Sequence, residues 1–181
     1  MKTPALILAL LVTVLLPAQA ENVIYEAVKG KLVAVDGRMV APLENTSRVE
    51  NAKFYAIYFS AHWCPPCRKF TPKLAKFYKK YSQRYGDFDV IFVSSDKSAE
   101  AMDEYMIDEK MLFPAVKFED RKNLGKIDSY RAKGIPNLVF VDSEGKVLSA
   151  SYKDGKYIGP YEVLDEMEDI LKEKGQKLAG N

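Results

Sequence analysis

Both cysteines of the chain lie in one short motif, Trp63-Cys64-Pro65-Pro66-Cys67. An apolar run at residues 54–59 precedes the motif, and apolar side chains at helical spacing follow it over about residues 68–85. A cysteine pair between a strand and a helix is typical of a redox-active dithiol. A disulfide across so short a loop removes little chain entropy from the unfolded state, so the spacing favours chemistry over structural cross-linking.

Three other uses of the cysteine pair are disfavoured. A structural zinc site takes four ligands, mainly cysteine and histidine, and the chain offers two cysteines and a single histidine, His62. Covalent haem attachment requires a histidine where Arg68 stands. An inert buried pair accounts for neither the tryptophan, the two prolines nor the helix start. We therefore expect no metal and no organic cofactor.

The first residues of the chain have the pattern of a secretory signal peptide, predicted to span residues 1–20. Lys2 supplies a positive charge, residues 5–16 are almost entirely apolar, and Ala18-Gln19-Ala20 is a small-x-small cleavage signal. The apolar stretch is short for a bilayer span. We expect cleavage after Ala20 and no stable membrane insertion afterwards, with an uncleaved anchor as the alternative. Export predicts a periplasmic or secreted location, where disulfides persist.

The chain after the signal peptide divides into an N-terminal extension, residues 21–53, and a larger unit, residues 54–176. In the extension, Asp36-Gly37 suits the turn of a β-hairpin between residues 31–35 and 38–41. Basic and acidic residues nearly balance, at 27 and 25, and no basic run carries interleaved aromatic residues. This composition gives no sign of nucleic-acid binding.

Strand and helix patterns alternate through the larger unit. Strands are predicted at residues 54–59, 88–94, 137–142 and 146–152, with a short strand or loop at 113–118. Helices are predicted at about residues 68–85, 98–111, 121–133 and 160–174. Such alternation predicts an α/β fold, with a central mixed sheet flanked by helices on both faces.

One segment of the chain comprises Tyr58-Phe59-Ser60-Ala61-His62-Trp63-Cys64-Pro65-Pro66-Cys67-Arg68 and the following Phe70-Thr71-Pro72. This segment resembles the active-site segment of tryparedoxins and nucleoredoxins, which form a branch of the thioredoxin superfamily. Gly134-Ile135-Pro136 and the closing hairpin and helix agree with it, so the resemblance covers about residues 54–147. It implies a thioredoxin fold for the larger unit and a cis proline, Pro136, beside the dithiol.

The chain also departs from this family. Its export signal differs from the cytosolic tryparedoxins, so their electron donor is not carried over. Asn137 stands where many relatives have threonine. Tyr58 stands where thioredoxin buries an aspartate, as in the tryparedoxin branch, and this leaves the internal proton acceptor unassigned.

The site residues follow from the motif and the resemblance. Cys64 is the expected nucleophile, because a helix N-terminus favours its thiolate, and Cys67 is the expected resolving thiol. Trp63 serves either as a platform for substrate or as a shield for the disulfide. Ile135 and Pro136 are expected to contact an extended substrate strand. His62 either tunes the thiol pKa or is a loop residue without influence.

These residues predict an exported thiol–disulfide oxidoreductase that reduces protein or small disulfides by dithiol–disulfide exchange. A membrane-linked or soluble electron donor would return it to the reduced state. Two alternatives stay open: a disulfide-forming or isomerising catalyst, and a thioredoxin-fold binding module or holdase in which the dithiol is incidental.

Overall fold

The computed structural model describes residues 21–179, with side chains described as far as residue 174. The signal peptide predicted at residues 1–20 lies outside the described residues. The helices are α1 (Val23–Val28), α2 (Ser47–Asn51), α3 (Pro65–Arg84), α4 (Ala99–Asp108) and α5 (Pro160–Ala179). The strands are β1 (Leu32–Asp36), β2 (Met39–Pro42), β3 (Phe54–Ser60), β4 (Phe88–Ser94), β5 (Ala115–Val116), β6 (Asn137–Asp142), β7 (Val147–Ala150), β8 (Tyr152–Lys153) and β9 (Lys156–Tyr157).

One mixed sheet of seven strands, in the order β2-β1-β5-β4-β3-β6-β7, forms the centre of the described structure. β3 pairs in parallel with β4 and antiparallel with β6. Every residue of β4 and all but the first of β3 are buried, as expected for strands covered on both faces. The prediction of a mixed sheet flanked by helices is confirmed.

The side chains of β3 alternate between two apolar clusters, one on each face of the sheet. Ala56 and Tyr58 pack with residues of α3, α4 and α5. Tyr55, Ile57 and Phe59 pack on the opposite face with residues of α1, α2 and the segment before β6. β3 is therefore fixed from both sides, and its carboxyl end leads directly into the cysteine motif.

The predicted hairpin of the extension is confirmed, and it belongs to the main sheet. β1 pairs antiparallel with both β2 and β5, so the hairpin extends one edge of the sheet. α1 and α2 were not predicted, because helices of five or six residues carry little periodic signal. Asn22 caps α1 by accepting the N–H of Tyr25 at 3.0 Å and donates to the Tyr55 hydroxyl at 2.6 Å.

The helix predicted at residues 121–133 is shorter than expected and is not an α-helix. The 3₁₀ helix Gly125–Tyr130 lies within this range, and a second 3₁₀ helix, Phe118–Asp120, precedes it. The spacing of three between Leu124 and Ile127 fits three residues per turn better than 3.6. The Asp128 carboxylate also accepts the N–H of Leu124 at 2.7 Å, a local bond that competes with a continuing helix.

The strand predicted at residues 146–152 ends early, as β7, and a second hairpin of β8 and β9 follows it. Asp154 and Gly155 have positive φ angles of 51° and 77° at its turn. Asp-Gly is the preferred dipeptide for this turn, so the sequence contained the signal for the second hairpin.

An ion pair with one fully buried partner, Asp89, connects α2 to the start of β4. Asp89 is fully buried, accepts the N–H of Val90 at 2.8 Å, and lies 3.3 Å from Nε of Arg48. Arg48 also donates to the Phe88 carbonyl at 2.7 Å. Burial raises the pKa of Asp89 from 3.8 to about 6, although the bond from Val90 and the charge of Arg48 act to lower it.

We predict that Arg48→Met lowers the free energy of unfolding by about 3 kcal/mol near neutral pH, because it leaves a buried carboxylate without a counter-ion. The folded-state pKa of Asp89 lies above its unfolded value. Protonated Asp89 therefore stabilises the folded state fully below about pH 4, and this stabilisation is lost as the pH rises through about 6. Removing Arg48 raises this pKa further, so the deficit of the variant should grow between about pH 4.5 and about pH 8 in urea unfolding.

Lys29→Met is the matched control, since Lys29 and Glu26 form an exposed ion pair at 3.3 Å. It should cost less than about 1 kcal/mol at either pH. Two results would contradict the proposed contribution of this ion pair to the free energy of unfolding. One is an equal loss of unfolding free energy in the two variants, and the other is a loss in Arg48→Met that does not change with pH.

Candidate functional site

The two cysteines form a disulfide at the N-terminus of α3, with their Cα atoms 5.2 Å apart. Cys64 is the N-cap of α3, and its Sγ accepts the N–H of Cys67 at 3.3 Å. Pro65 and Pro66, the first two helical residues, have no N–H, so Cys67 supplies the first amide hydrogen of the helix. On reduction, this N–H and the positive end of the helix dipole would both favour a thiolate on Cys64.

The loop before β6 packs directly against the disulfide. The Ile135–Pro136 peptide bond is cis, and the Ile135 carbonyl lies 3.8 Å from Sγ of Cys64. Ile135 also packs on a small buried cluster of Ala61, Cys64 and Cys67. The structure therefore brings together the four residues predicted for nucleophile, resolving thiol and strand contact.

An open groove runs beside the disulfide; we call it the disulfide groove. The residues that line it are Trp63, Cys64, Pro65, Pro66, Ser95, Ala132, Lys133, Gly134 and Ile135. Its volume is about 450 Å³. Cys64, which is 3% exposed, lines this groove, whereas Cys67 is fully buried.

Trp63 forms the wall between the disulfide groove and a second groove. Its side chain is 56% exposed, and its Nε1 donates to the Ser95 carbonyl at 3.1 Å. The second groove, here the Lys97 groove, is lined by His62, Trp63, Arg68, Asp96, Lys97 and Ala101. Because the ring is held in place yet half exposed, it offers a flat apolar contact surface to both grooves.

His62 faces α4. Its ring stacks on Tyr105 with 5.4 Å between centroids, and its Nε2 lies 3.8 Å from a carboxylate oxygen of Asp108. Its backbone N–H donates to Asp96 at 2.8 Å. Within the described residues the ring has no hydrogen bond to either sulfur, so the tuning of the thiol by His62 stays a prediction.

Four buried hydroxyl groups connect the first turn of α3 to β3 and α4. Thr71 donates to the Cys67 carbonyl at 3.0 Å, and its Oγ1 lies 2.8 Å from the Tyr58 hydroxyl. Thr71 also contacts the Tyr105 hydroxyl, which lies 2.9 Å from Oγ of Ser60. Each hydroxyl has one hydrogen. The bonds are all satisfied if Tyr58 and Tyr105 donate to Thr71 and Ser60 donates to Tyr105.

This hydroxyl network holds no ionised group. Burial raises the pKa of both Tyr58 and Tyr105 above the ordinary value, so both phenols stay protonated at neutral pH. The network therefore positions Cys67 and does not serve as the base that a buried aspartate would provide. Sequence reasoning noticed Tyr58 but missed Thr71 and Tyr105, because nothing in their spacing shows that their hydroxyls meet.

The second hairpin holds the loop that contacts the disulfide. Tyr157 of β9 donates its hydroxyl hydrogen to the Pro136 carbonyl at 3.1 Å. Tyr152 of β8 lies over Gly134 so closely that a Cβ there would meet its hydroxyl oxygen at 2.8 Å. Both tyrosines were missed by sequence reasoning, and the Asp154-Gly155 turn was the signal that would have placed them on a hairpin.

Within residues 21–174, no group of three or more His, Cys, Asp or Glu side chains is arranged to hold a metal ion. Among the described helices, none is both long enough and apolar enough to cross a membrane.

The chain matches known proteins by sequence and by structure. A family model described as thioredoxin-like matches residues 51–147. Nucleoredoxin of Mus musculus is 34% identical over 125 residues, which cover 68% of this chain and 27% of that protein. The chain thus spans only about a quarter of that curated relative.

Two solved structures share its architecture. Thioredoxin of Wuchereria bancrofti has a TM-score of 0.59 and 31% identity, over 80% of this chain and 97% of that chain. Tryparedoxin II of Crithidia fasciculata has a TM-score of 0.57 and 32% identity, over 72% and 84% of the two chains.

We predict that Tyr105→Phe lowers the free energy of unfolding by about 1–2 kcal/mol, because the buried hydroxyl of Ser60 loses its partner. The pH midpoint of Cys64 alkylation should not move, since the network has no ionised group. Urea unfolding and the pH dependence of alkylation by iodoacetamide measure the two effects.

Tyr161→Phe is the matched control, because Tyr161 is half exposed and its hydroxyl makes a single long bond, 3.4 Å, to the Lys69 carbonyl. It should change stability by less than about 0.5 kcal/mol. A shifted alkylation midpoint in Tyr105→Phe would show that the network acts on the thiolate and does more than position the helix.

Proposed function

The chain belongs to the thioredoxin-like family, in its tryparedoxin and nucleoredoxin branch, and on that basis we propose that it reduces disulfides by thiol–disulfide exchange through Cys64 and Cys67. One observation carries the proposal: the disulfide lies at the start of α3, with the Ile135 carbonyl 3.8 Å from Cys64 at the edge of an open groove. Thioredoxin-family proteins act on protein or small disulfides, and we propose the same substrate classes here.

The reaction begins with the reduced pair. The Cys64 thiolate attacks one sulfur of the substrate disulfide, a new S–S bond forms, and the other substrate sulfur leaves as a thiolate that takes up a proton. Cys67 then loses its proton and attacks Cys64, which releases the second substrate sulfur as a thiol. Two electrons pass to the substrate, and the Cys64–Cys67 disulfide is formed. Burial of Cys67 protects it from other partners until the mixed disulfide forms.

The loop and the tryptophan would hold the substrate. The N–H of Ile135 has no hydrogen-bond partner among the described residues, so it is free to pair with the backbone of an extended substrate strand. The exposed face of Trp63 would contact the substrate side chains that lie along the groove.

We further propose a periplasmic or secreted location and a reducing direction. The signal-peptide pattern of residues 1–20 supports the location. A reductant in an oxidising compartment needs a source of electrons, so a membrane-linked or soluble donor would regenerate the dithiol.

We predict that Cys64→Ser abolishes the reduction of insulin by dithiothreitol above the uncatalysed rate, because the attacking thiolate is lost. Cys67→Ser should instead accumulate mixed disulfides with substrate, because no resolving thiol remains. Non-reducing gel electrophoresis after acid quenching detects these adducts.

The double variant Cys64→Ser/Cys67→Ser is the control, and it should form no adduct. Adducts in Cys64→Ser but not in Cys67→Ser would reverse the two roles. Unchanged suppression of insulin aggregation by the double variant, together with no catalysis by the wild-type chain, would support a holdase and contradict the proposal.

A further inference from the structure

Three cationic side chains line the two grooves that the exposed Trp63 also lines. Arg68 and Lys97 line the Lys97 groove, and Lys133 lines the disulfide groove on the other side of the ring. All three are exposed, and none forms an ion pair with any residue of the described part of the chain. Their positive charges are therefore available to a molecule bound on either side of Trp63.

Asp96 is the one acidic residue found in the lining of these two grooves, among the residues that the structure describes. It is 4% exposed, and both of its carboxylate oxygens accept hydrogen bonds within the protein. One accepts the His62 N–H at 2.8 Å and the other accepts the Ser94 hydroxyl at 2.8 Å. Asp96 thus holds the loop before Trp63, and both of its carboxylate oxygens are already hydrogen-bonded within the protein.

Two other carboxyl groups lie behind the Lys97 groove, at the end of α4. Asp108 faces His62. Burial and the neighbouring Asp108 raise the pKa of Glu109, while His62 and Arg68 act to lower it. These groups offset part of the field of Arg68, but they do not line either groove. Among the described residues, Asp96 is the one carboxylate that lines the groove with Lys97, and none lines the groove with Lys133.

Given the proposed thiol–disulfide exchange, on which this step rests, we infer that the preferred substrate is a polypeptide whose disulfide lies in an acidic segment. Carboxylates on either side of the reacting cystine would meet Lys133 in one groove and Arg68 and Lys97 in the other. The first turn of α3 has no acidic residue to repel them. A basic segment would meet like charges on both sides of Trp63, which lowers the rate of productive encounter.

Three peptides of equal length test this substrate class. Each contains one disulfide, with flanking positions that are all glutamate, all glutamine or all lysine. The pre-reduced protein is mixed with each peptide, and oxidation is followed by fluorescence of its single tryptophan, Trp63. The second-order rate should be about ten-fold higher for the glutamate peptide than for the lysine peptide at low salt, with glutamine between them. High salt should compress this range, because exposed charges are screened.

Charge reversal identifies the residues responsible. The double variant Lys97→Glu/Lys133→Glu should invert the order of the three peptides. Lys146→Glu is the matched control, since this exposed lysine follows β6 at the end of the sheet away from the cysteines. It should keep the wild-type order.

An uncharged small disulfide, 2-hydroxyethyl disulfide, separates this inference from the proposed function. Lys146→Glu should reduce it at nearly the wild-type rate, and the peptide rates of each protein are divided by that protein's own rate with this small disulfide. If it is reduced but the three peptides react equally, or if the double variant keeps the wild-type order, the acidic substrate class is refuted and the exchange reaction stands. If the wild-type protein reduces neither the small disulfide nor any peptide, the exchange reaction and the substrate class both fail.

Discussion

The junction between β3 and α3 determines where every group of the site lies. β3 is packed on both faces by separate apolar clusters, so its carboxyl end has a fixed position and direction. The chain turns there into α3 with Cys64 as the N-cap, and the Thr71 hydroxyl ties the Cys67 carbonyl to Tyr58 of β3. The disulfide therefore sits on a rigid support, and the loop carrying Ile135 reaches it because β6 pairs with β3.

Two buried aspartates, one at each end of β4, attach neighbouring segments to the central sheet. Asp89, the second residue of β4, pairs with Arg48, which attaches the N-terminal extension to the end of the sheet away from the cysteines. Asp96 follows β4 at the other end and binds the N–H of His62, which attaches the loop before the motif. Neither carboxylate contacts the sulfurs, and the hydroxyl network beneath Cys67 contains no acid. The helix N-terminus can then stabilise a Cys64 thiolate without help from these groups.

The parts of this arrangement that depend on local pattern were predictable from the sequence. The buried β3, the cysteine motif at a helix start and the Asp36-Gly37 hairpin all follow from periodicity and turn chemistry. The parts that depend on contacts distant in sequence were not. α1 is fixed by Asn22 bonding to Tyr55, and the meeting of Thr71 with Tyr105 joins two helices. A helix was predicted around the 3₁₀ segment Gly125–Tyr130, but its length could not be predicted, because the Asp128 bond to the N–H of Leu124 is a contact that spacing alone does not reveal.

The reduction potential of the Cys64–Cys67 pair tests the central claim most directly. The protein without residues 1–20 is equilibrated with glutathione buffers, and its reduced fraction is read after acid quenching and thiol alkylation. A reversible two-electron transition at about −230 mV or lower is expected, because that range allows the dithiol to donate electrons to substrate disulfides. A value near −120 mV would make the pair an oxidant and contradict the reducing direction. No transition at all would show that the dithiol takes no part in the protein's function.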